Sequence, residues 1–189
     1  VKNLKTEGII NGVHRTEDIM KDIFFETWNK VEKKHLSFTG YLTLHRAENT
    51  DNSEIFQNRL DQIGSLKFPV IWPIHPRAKK QLELNNFDVP INIETVEPLG
   101  YVENICNLKT AKYVFTDSGG LQEECTILGT PCLTLRWNTE RPITLYQNGG
   151  VSVLTGSNVN DIESNFINYK FNHTLSKYIE SRYCYSFCI

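Results

Sequence analysis

The sequence predicts an α/β domain in which helices cover both faces of a doubly wound parallel sheet. Strand-like and helix-like segments alternate about six times along the 189 residues, and this alternation is typical of parallel sheets. The strand-like segments are continuous apolar runs, as expected for strands buried on both faces. Because no linker-like or low-complexity stretch interrupts them, we expect one domain over residues 1–169 and an atypical tail over 170–189.

The first third of the chain predicts a helix, a strand and a second helix. Apolar spacing favours a helix over residues 16–34 and a strand over 36–45. The second helix should begin at Asn52 or Ser53, since both residue types are good N-caps, and it should end near Gly64.

The same alternation continues along the rest of the domain. We predict further strands over residues 69–75, 91–96, 112–117, 131–137 and 151–155. We predict further helices over residues 76–84, 101–111, 119–129, 139–150 and 158–169, the fourth being a short helix closed by glycines. The tail carries apolar residues on one helical face, and we expect this face to be exposed.

Charge and composition argue against several classes of protein. The net charge is −2 and the longest basic run, residues 33–35, is too short for a nucleic-acid footprint. No apolar run approaches the roughly 20 residues that span a bilayer, and the N-terminal segment lacks the apolar stretch of a signal peptide. We therefore expect a cytoplasmic protein with neither a nucleic-acid nor a membrane partner.

The five cysteines follow no spacing that supplies four zinc ligands. Cys106, Cys125 and Cys132 fall inside predicted helices or strands, where a free thiol behaves as a small apolar side chain. We predict reduced cysteines and no metal site. Metal binding by Cys184 and Cys188 is the less favoured alternative.

Polar residues follow four of the predicted strands. They occupy residues 45–49, 75–77, 117–120 and 136–141, and they include two histidines, several arginines, a serine and a diglycine. In open α/β sheets, ligands bind outside the carboxyl ends of the strands. The sequence therefore predicts a ligand site at this edge.

The diglycine turn predicts an anion site. Gly119 and Gly120 begin a helix directly after a strand, where free N–H groups and the helix dipole favour a phosphate and where glycine allows close approach. Ser118 adds a hydroxyl. Glu123 and Glu124 lie one turn further on, where a carboxylate suits the two hydroxyls of a ribose. Without a dinucleotide-binding or P-loop glycine pattern, a nucleotide-sugar is the best-fitting ligand.

Each of these features alone also has a structural explanation. A βα turn often contains glycine without binding phosphate. His45 alone fits a core histidine, His75 fits a turn before proline, and Thr139 fits a helix N-cap. The shared polarity of four strand ends is what favours a binding site.

Five motifs resemble the non-hydrolysing UDP-N-acetylglucosamine 2-epimerases. They are TLHRAENTDN, PIHPR, EPLGY, TDSGGLQEE and NTERP, in that family's order and with similar spacing, from about Asn3 to about Gly156. The resemblance implies two Rossmann-like domains that face each other across a cleft, as in GT-B glycosyltransferases. This chain is similar to the C-terminal, nucleotide-binding domain alone.

The resemblance also implies an activity and a set of site residues. The family interconverts UDP-GlcNAc and UDP-ManNAc by anti-elimination of UDP to a glycal, followed by re-addition with C2 inverted, and we expect no cofactor. The resemblance implies that His45 is catalytic, that Arg46 contacts the diphosphate, and that His75 and Arg77 line the same wall of the site. It further implies that Ser118, Gly119 and Gly120 bind the phosphates and that Glu124 binds the ribose. Arg141 is implied to approach the phosphate and the sugar.

Several positions depart from the family pattern. Ile143 and Glu17 stand where the family has glutamate and glycine, and Asn104 stands where the family has an aromatic residue near the uracil. The domain that carries the acidic residues for the C2 proton has no counterpart here. We therefore expect a chain that binds a UDP-sugar, is inactive alone and works with a separate N-terminal half or a homodimer partner. A non-catalytic UDP-sugar-binding module and a GT-B glycosyltransferase donor domain are the alternatives.

Overall fold

The computed structural model describes residues 2–14, 19–31 and 38–156. They belong to two compact units, one ending at Lys30 and the other beginning at Val31. The predicted helix over 158–169 and the tail over 170–189 lie outside the described residues, so the boundary between domain and tail stays a prediction.

The first unit contains two helices, α1 (Lys2–Thr6) and α2 (Ile19–Trp28). Helix α2 falls within the predicted helix over 16–34. The rings of Phe24 and Trp28 stack with centroids 5.3 Å apart, which is the contact expected one turn apart on a helix face. None of the helices in the described ranges is long and apolar enough to cross a membrane.

The second unit is a six-stranded parallel sheet with flanking helices, which confirms the predicted fold class. Its strands are β1 (Gly40–Thr43), β2 (Val70–Pro73), β3 (Ile93–Val96), β4 (Tyr113–Thr116), β5 (Cys132–Thr134) and β6 (Ser152–Leu154). Its helices are α3 (Ala47–Thr50), α4 (Ser53–Gly64), α5 (Pro76–Asn85), α6 (Tyr101–Thr110) and α7 (Gly119–Leu128).

The strands lie in the order β3-β2-β1-β4-β5-β6. The chain moves outward from β1 in one direction through β2 and β3, then returns to the other side of β1 and continues through β4, β5 and β6. A doubly wound sheet of this order opens a crevice between β1 and β4, where such folds bind their ligands. The paired strands β1 and β4 end level with each other, because Thr43 pairs with Thr116.

Apolar side chains of the strands and of α4 form the core. Trp72 of β2 packs edge-on against Phe56 of α4 and both are fully buried, as are Leu42 and Phe115 on the central strands. Strands β4 and β5 are buried almost throughout, as their apolar runs predict. Strand β3 differs: Glu94 and Thr95 are exposed because β3 is an edge strand.

The predicted helix starts agree with the observed caps. The side chain of Asn52 caps α4 by accepting a hydrogen bond from the N–H of Ile55 at 3.0 Å. The predicted short helix over 139–150 is wrong, since this segment forms two 3₁₀ turns, Pro142–Thr144 and Tyr146–Asn148. Leu145, between the turns, has the extended ψ of 142°, which interrupts any continuous helix.

Candidate functional site

A cavity of about 270 Å³ opens at the carboxyl ends of β1, β2, β3 and β4. Three of the predicted site residues, His45, His75 and Ser118, line it. Its other lining residues are mostly apolar or uncharged and include Tyr41, Leu99 and Asn104 as well as Thr43, Leu44, Pro73, Pro98 and Leu121. No carboxylate is among them. The predicted residues that do not line this cavity are Arg46, Arg77, Gly119, Gly120, Glu124 and Arg141.

Asp117, the first residue after β4 in the crevice, organises the loop that follows β1. Its fully buried carboxylate accepts hydrogen bonds from the backbone N–H of His45 at 3.0 Å, the backbone N–H of Arg46 at 2.8 Å and the side-chain amide of Asn49 at 3.1 Å. Nδ1 of His45 lies 2.9 Å from Oδ1 of the same carboxylate. Sequence reasoning placed Asp117 at the correct edge but missed this role.

These donors keep Asp117 ionised. Burial would raise the pKa of its carboxyl, but the hydrogen bond and charge of His45 and the two backbone N–H groups outweigh burial and lower the pKa below its usual value. Asp117 is therefore an anion that lies directly behind the imidazole of His45.

A chain of ion pairs links the loop after β1 to the segment after β5. Nη2 of Arg46 lies 2.9 Å from Oε1 of Glu140, and Nη1 of Arg136 lies 2.6 Å from Oε2 of the same carboxylate. Nε of Arg136 also pairs with Glu48 at 3.0 Å. The pKa of Glu140 falls to about 2. The largest cause is the hydrogen bond from its own backbone N–H, and the next is the hydrogen bond from Arg136. Sequence reasoning placed Arg136 and Glu140 at this edge but gave neither residue a role.

The diglycine turn has the geometry of an anion cradle. Ser118 is the N-cap of α7, and its Oγ accepts from the N–H of Leu121 at 3.4 Å. As at every helix start, the first N–H groups, here of Gly119 and Gly120, have no partner inside the helix. A Cβ at Gly119 would lie 3.0 Å from Oε1 of Glu140, so the carboxylate approaches this turn closely. The position that attracts an anion is thus next to Glu140.

Glu124 is a buried carboxyl on α7. Burial raises its pKa to about 7, and the charge of Glu123 adds to this, while the hydroxyl of Tyr101 acts in the opposite direction. Its Oε2 has no hydrogen-bond partner among the described residues. Neighbouring Glu123 differs, because its Oε1 pairs with Nε of Arg141 at 3.1 Å. Within the described ranges, Oε2 of Glu124 is therefore an acceptor without a donor.

We expect the raised pKa of Glu124 to make the folded state less stable as the pH rises from about 4.5 to 7. The folded chain holds this proton more tightly than the unfolded chain, so the contribution is full below the unfolded value of 4.5 and is lost as the pH passes the folded value. The loss should be about 2–3 kcal/mol. Urea titrations at several pH values should show a smaller loss for Glu124→Gln, which mimics the protonated form.

Glu94→Gln is the matched control for this prediction, because Glu94 is an exposed glutamate on edge strand β3. It should show the same pH dependence as the parent chain. If Glu124→Gln also keeps the full dependence of the parent, the carboxyl of Glu124 is not its source.

His75 and Arg77 lie at the start of α5. His75 is the N-cap, and its Nδ1 accepts from the backbone N–H of Arg77 at 3.1 Å. The side chain of Arg77 pairs with Asp51 at 3.2 Å on the surface. The rings of His45 and His75 have centroids 5.4 Å apart. The two predicted histidines therefore meet at the cavity, whereas Arg77 turns to Asp51.

The 3-2-1-4-5-6 sheet with a crevice at its switch point defines a Rossmann-like α/β domain of the kind found in GT-B proteins. A family model described as UDP-N-acetylglucosamine 2-epimerase matches residues 1–185. The chain belongs to the UDP-N-acetylglucosamine 2-epimerase family.

Individual relatives agree with this assignment. A UDP-N-acetylglucosamine 2-epimerase homolog of Methanococcus maripaludis is 36% identical over 193 residues, which cover 93% of this chain and 52% of the relative. The structure of Methanocaldococcus jannaschii UDP-GlcNAc 2-epimerase in complex with UDP-GlcNAc and UDP matches with a TM-score of 0.80 at 34% identity, covering 90% of this chain and 52% of that one. The chain spans about half the length of these two relatives.

Proposed function

We propose that this chain binds the UDP portion of UDP-N-acetylglucosamine and forms the nucleotide-binding half of a UDP-N-acetylglucosamine 2-epimerase. The observation that carries the proposal is the meeting of His45 and Ser118 at the crevice between β1 and β4, where Ser118 directly precedes the diglycine turn that starts α7. The solved M. jannaschii relative, which holds UDP-GlcNAc and UDP, supports the same ligand class here.

We assign the diphosphate to the start of α7. Ser118, Gly119 and Gly120 offer a hydroxyl and backbone N–H groups at the positive end of the helix dipole. Arg46 lies beside this turn through its contact with Glu140. A diphosphate bound there would compete with Glu140 for the guanidinium of Arg46. The guanidinium would then form an ion pair with the ligand.

The remaining predicted residues surround this position. His45 is the catalytic candidate at the phosphate side of the cavity, His75 lines the same wall, and Arg77 is held next to it by Asp51. Arg141 would reach the phosphate and sugar by leaving Glu123. Oε2 of Glu124, which has no partner in the part of the chain that the structure describes, supports a role as acceptor for ribose hydroxyls.

Epimerisation requires a proton to leave and return at C2 of the sugar. The cavity lining contains no carboxylate, and the family resemblance places that acid–base chemistry on the facing domain. We therefore assign to this chain the binding and departure of UDP by elimination. The C2 proton belongs to a second half, supplied by further protein or by a partner subunit.

Calorimetry with UDP and AMP tests the proposal. We expect the full chain to bind UDP, with AMP at least about 10-fold weaker, because a pocket with fixed polar partners discriminates between bases by more than 1.4 kcal/mol. Equal affinity for both nucleotides, or no binding of UDP, would contradict the proposal.

A non-catalytic UDP-sugar-binding module is the second candidate, and the absence of a carboxylate from the cavity lining favours it over an enzyme complete in this chain. Incubation with UDP-GlcNAc in D₂O separates the two. We expect no deuterium at C2 with the chain alone and deuterium once the facing half is added; no exchange with both halves present supports the module.

We also assign the protein to the cytoplasm, which the free thiols of Cys106, Cys125 and Cys132 support.

A further inference from the structure

Two histidines lie side by side at the cavity, and the protein holds each of them through the same ring nitrogen. The rings of His45 and His75 are tilted by 40° with centroids 5.4 Å apart, and both side chains line the cavity. In each ring Nδ1 contacts the protein. One contact is to an acceptor and the other is to a donor, so the proton lies on a different nitrogen in each ring.

Nδ1 of His45 must carry a proton. It lies 2.9 Å from Oδ1 of Asp117, which is a buried, ionised carboxylate and can only accept. The other hydrogen bonds to that carboxylate come from N–H groups of His45, Arg46 and Asn49, so the whole cluster is built around an acceptor. A neutral imidazole has one N–H, so Nε2 of His45 carries the lone pair.

Nδ1 of His75 must carry a lone pair. It accepts the backbone N–H of Arg77 at 3.1 Å as the N-cap contact of α5. Pro76 has no N–H, so Arg77 provides the first backbone donor of this helix. The proton of neutral His75 is therefore on Nε2.

We propose that His45 and His75 are fixed in opposite neutral tautomers, so that the cavity receives a hydrogen-bond acceptor from His45 and a donor from His75. Two donors would suit a bare phosphate. One donor next to one acceptor suits a glycosyl phosphate, whose phosphate oxygen accepts from His75 and whose hydroxyl donates to His45. The ligand class rests on the proposed function, whereas the tautomers follow from Asp117 and α5 alone.

The ¹⁵N NMR spectrum of the uniformly labelled full chain tests the tautomers directly. At about pH 8, above the usual histidine pKa of about 6.5, the ¹⁵N shifts distinguish protonated from unprotonated ring nitrogens. We expect protonated Nδ1 in His45 and protonated Nε2 in His75. His45→Asn and His75→Asn assign the signals by removing one pattern each. The same tautomer in both rings, or averaged shifts in either, would overturn the proposal.

Asp117→Asn tests the cause of the tautomer in His45. The amide oxygen must still accept from Arg46 and Asn49, so the amide NH₂ faces Nδ1 of His45 and should move the ring proton to Nε2. The pattern of His75 should not change and serves as the internal control. Protonated Nδ1 in the folded variant would overturn the role of Asp117. If the variant does not fold, the spectrum of the parent chain still decides.

Two substitutions of His75 separate its donor from its cap. Asparagine keeps an acceptor near the position of Nδ1 but has no group at Nε2, whereas glutamine places an amide N–H near Nε2. UDP affinity should fall about 10-fold in His75→Asn, as expected for a hydrogen bond to a charged group, and recover in His75→Gln. Unchanged affinity in His75→Asn would overturn the donor role. If UDP does not bind the parent chain while the tautomers are as stated, the proposed function fails and the tautomer assignment stands.

Discussion

Asp117→Ala should lower the free energy of unfolding of the chain by about 3–5 kcal/mol, because each donor that loses its acceptor costs about 1–3 kcal/mol. The reason is that the carboxylate satisfies the backbone N–H groups of His45 and Arg46 and the amide of Asn49, all within 3.1 Å. Alanine leaves these donors without an acceptor. Urea denaturation followed by circular dichroism measures the loss.

Asp51→Ala is the control for this prediction. Asp51 is also an aspartate paired with a basic side chain, but it and Arg77 are both about half exposed, and exposed ion pairs stabilise by at most about 1 kcal/mol. Asp117→Ala should lower UDP affinity as well as stability, because the loop that carries His45 and Arg46 loses the carboxylate that positions it. An effect of Asp117→Ala no larger than that of Asp51→Ala would contradict the central role of Asp117.

Gly150→Ala should destabilise the chain by at least about 3 kcal/mol, the upper end for overpacking, because the obstacle is backbone. A Cβ at Gly150 would lie 2.0 Å from the carbonyl oxygen of Thr144, so the backbone of one segment must move. Thr144 is buried and hydrogen-bonded to Gln122 of α7 and to the carbonyl of Arg141. Displacement of Thr144 should therefore also weaken UDP binding.

Gly100→Ala is the matched control, because a Cβ at Gly100 would meet no atom within 4 Å and its φ of −67° suits alanine. Thermal unfolding and UDP calorimetry of both variants should show a large loss for Gly150→Ala and almost none for Gly100→Ala. Equal stability of the two variants would mean that the segment from Thr144 to Gly150 adapts without cost.

Much of the fold could be predicted because its signals are local. The apolar runs, the N-cap at Asn52 and the glycines at the start of α7 each depend on a few neighbouring residues. The position of the site could also be predicted, because parallel strands bring all their carboxyl ends to one edge. The helix expected over 139–150 fails for a local reason, because Leu145 is extended. The exposure of strand β3 has a non-local cause, because the order of the strands puts β3 at the edge of the sheet.

The partners within the site could not be predicted, because they are distant in the sequence. Asp117 meets His45 across 72 residues, and Arg46 meets Glu140 across 94. A motif shows which residue types follow each strand, but it does not show which carboxylate pairs with which base. The tautomers of His45 and His75 depend on the same long-range contacts and on the cap of α5.

The position of the crevice has a consequence for how the chain acquires its site during folding. Strands β1, β2 and β3 pair with neighbours that are close in the sequence, and so do β4, β5 and β6, whereas β1 and β4 pair across more than seventy residues. Contacts of such separation are the slowest to form, since their loop-closure entropy is lost before they contribute. His45 and Asp117 belong to opposite half-sheets, so neither half alone has the site. A nucleotide that binds there would contact both half-sheets, so its binding would report that the two half-sheets have paired.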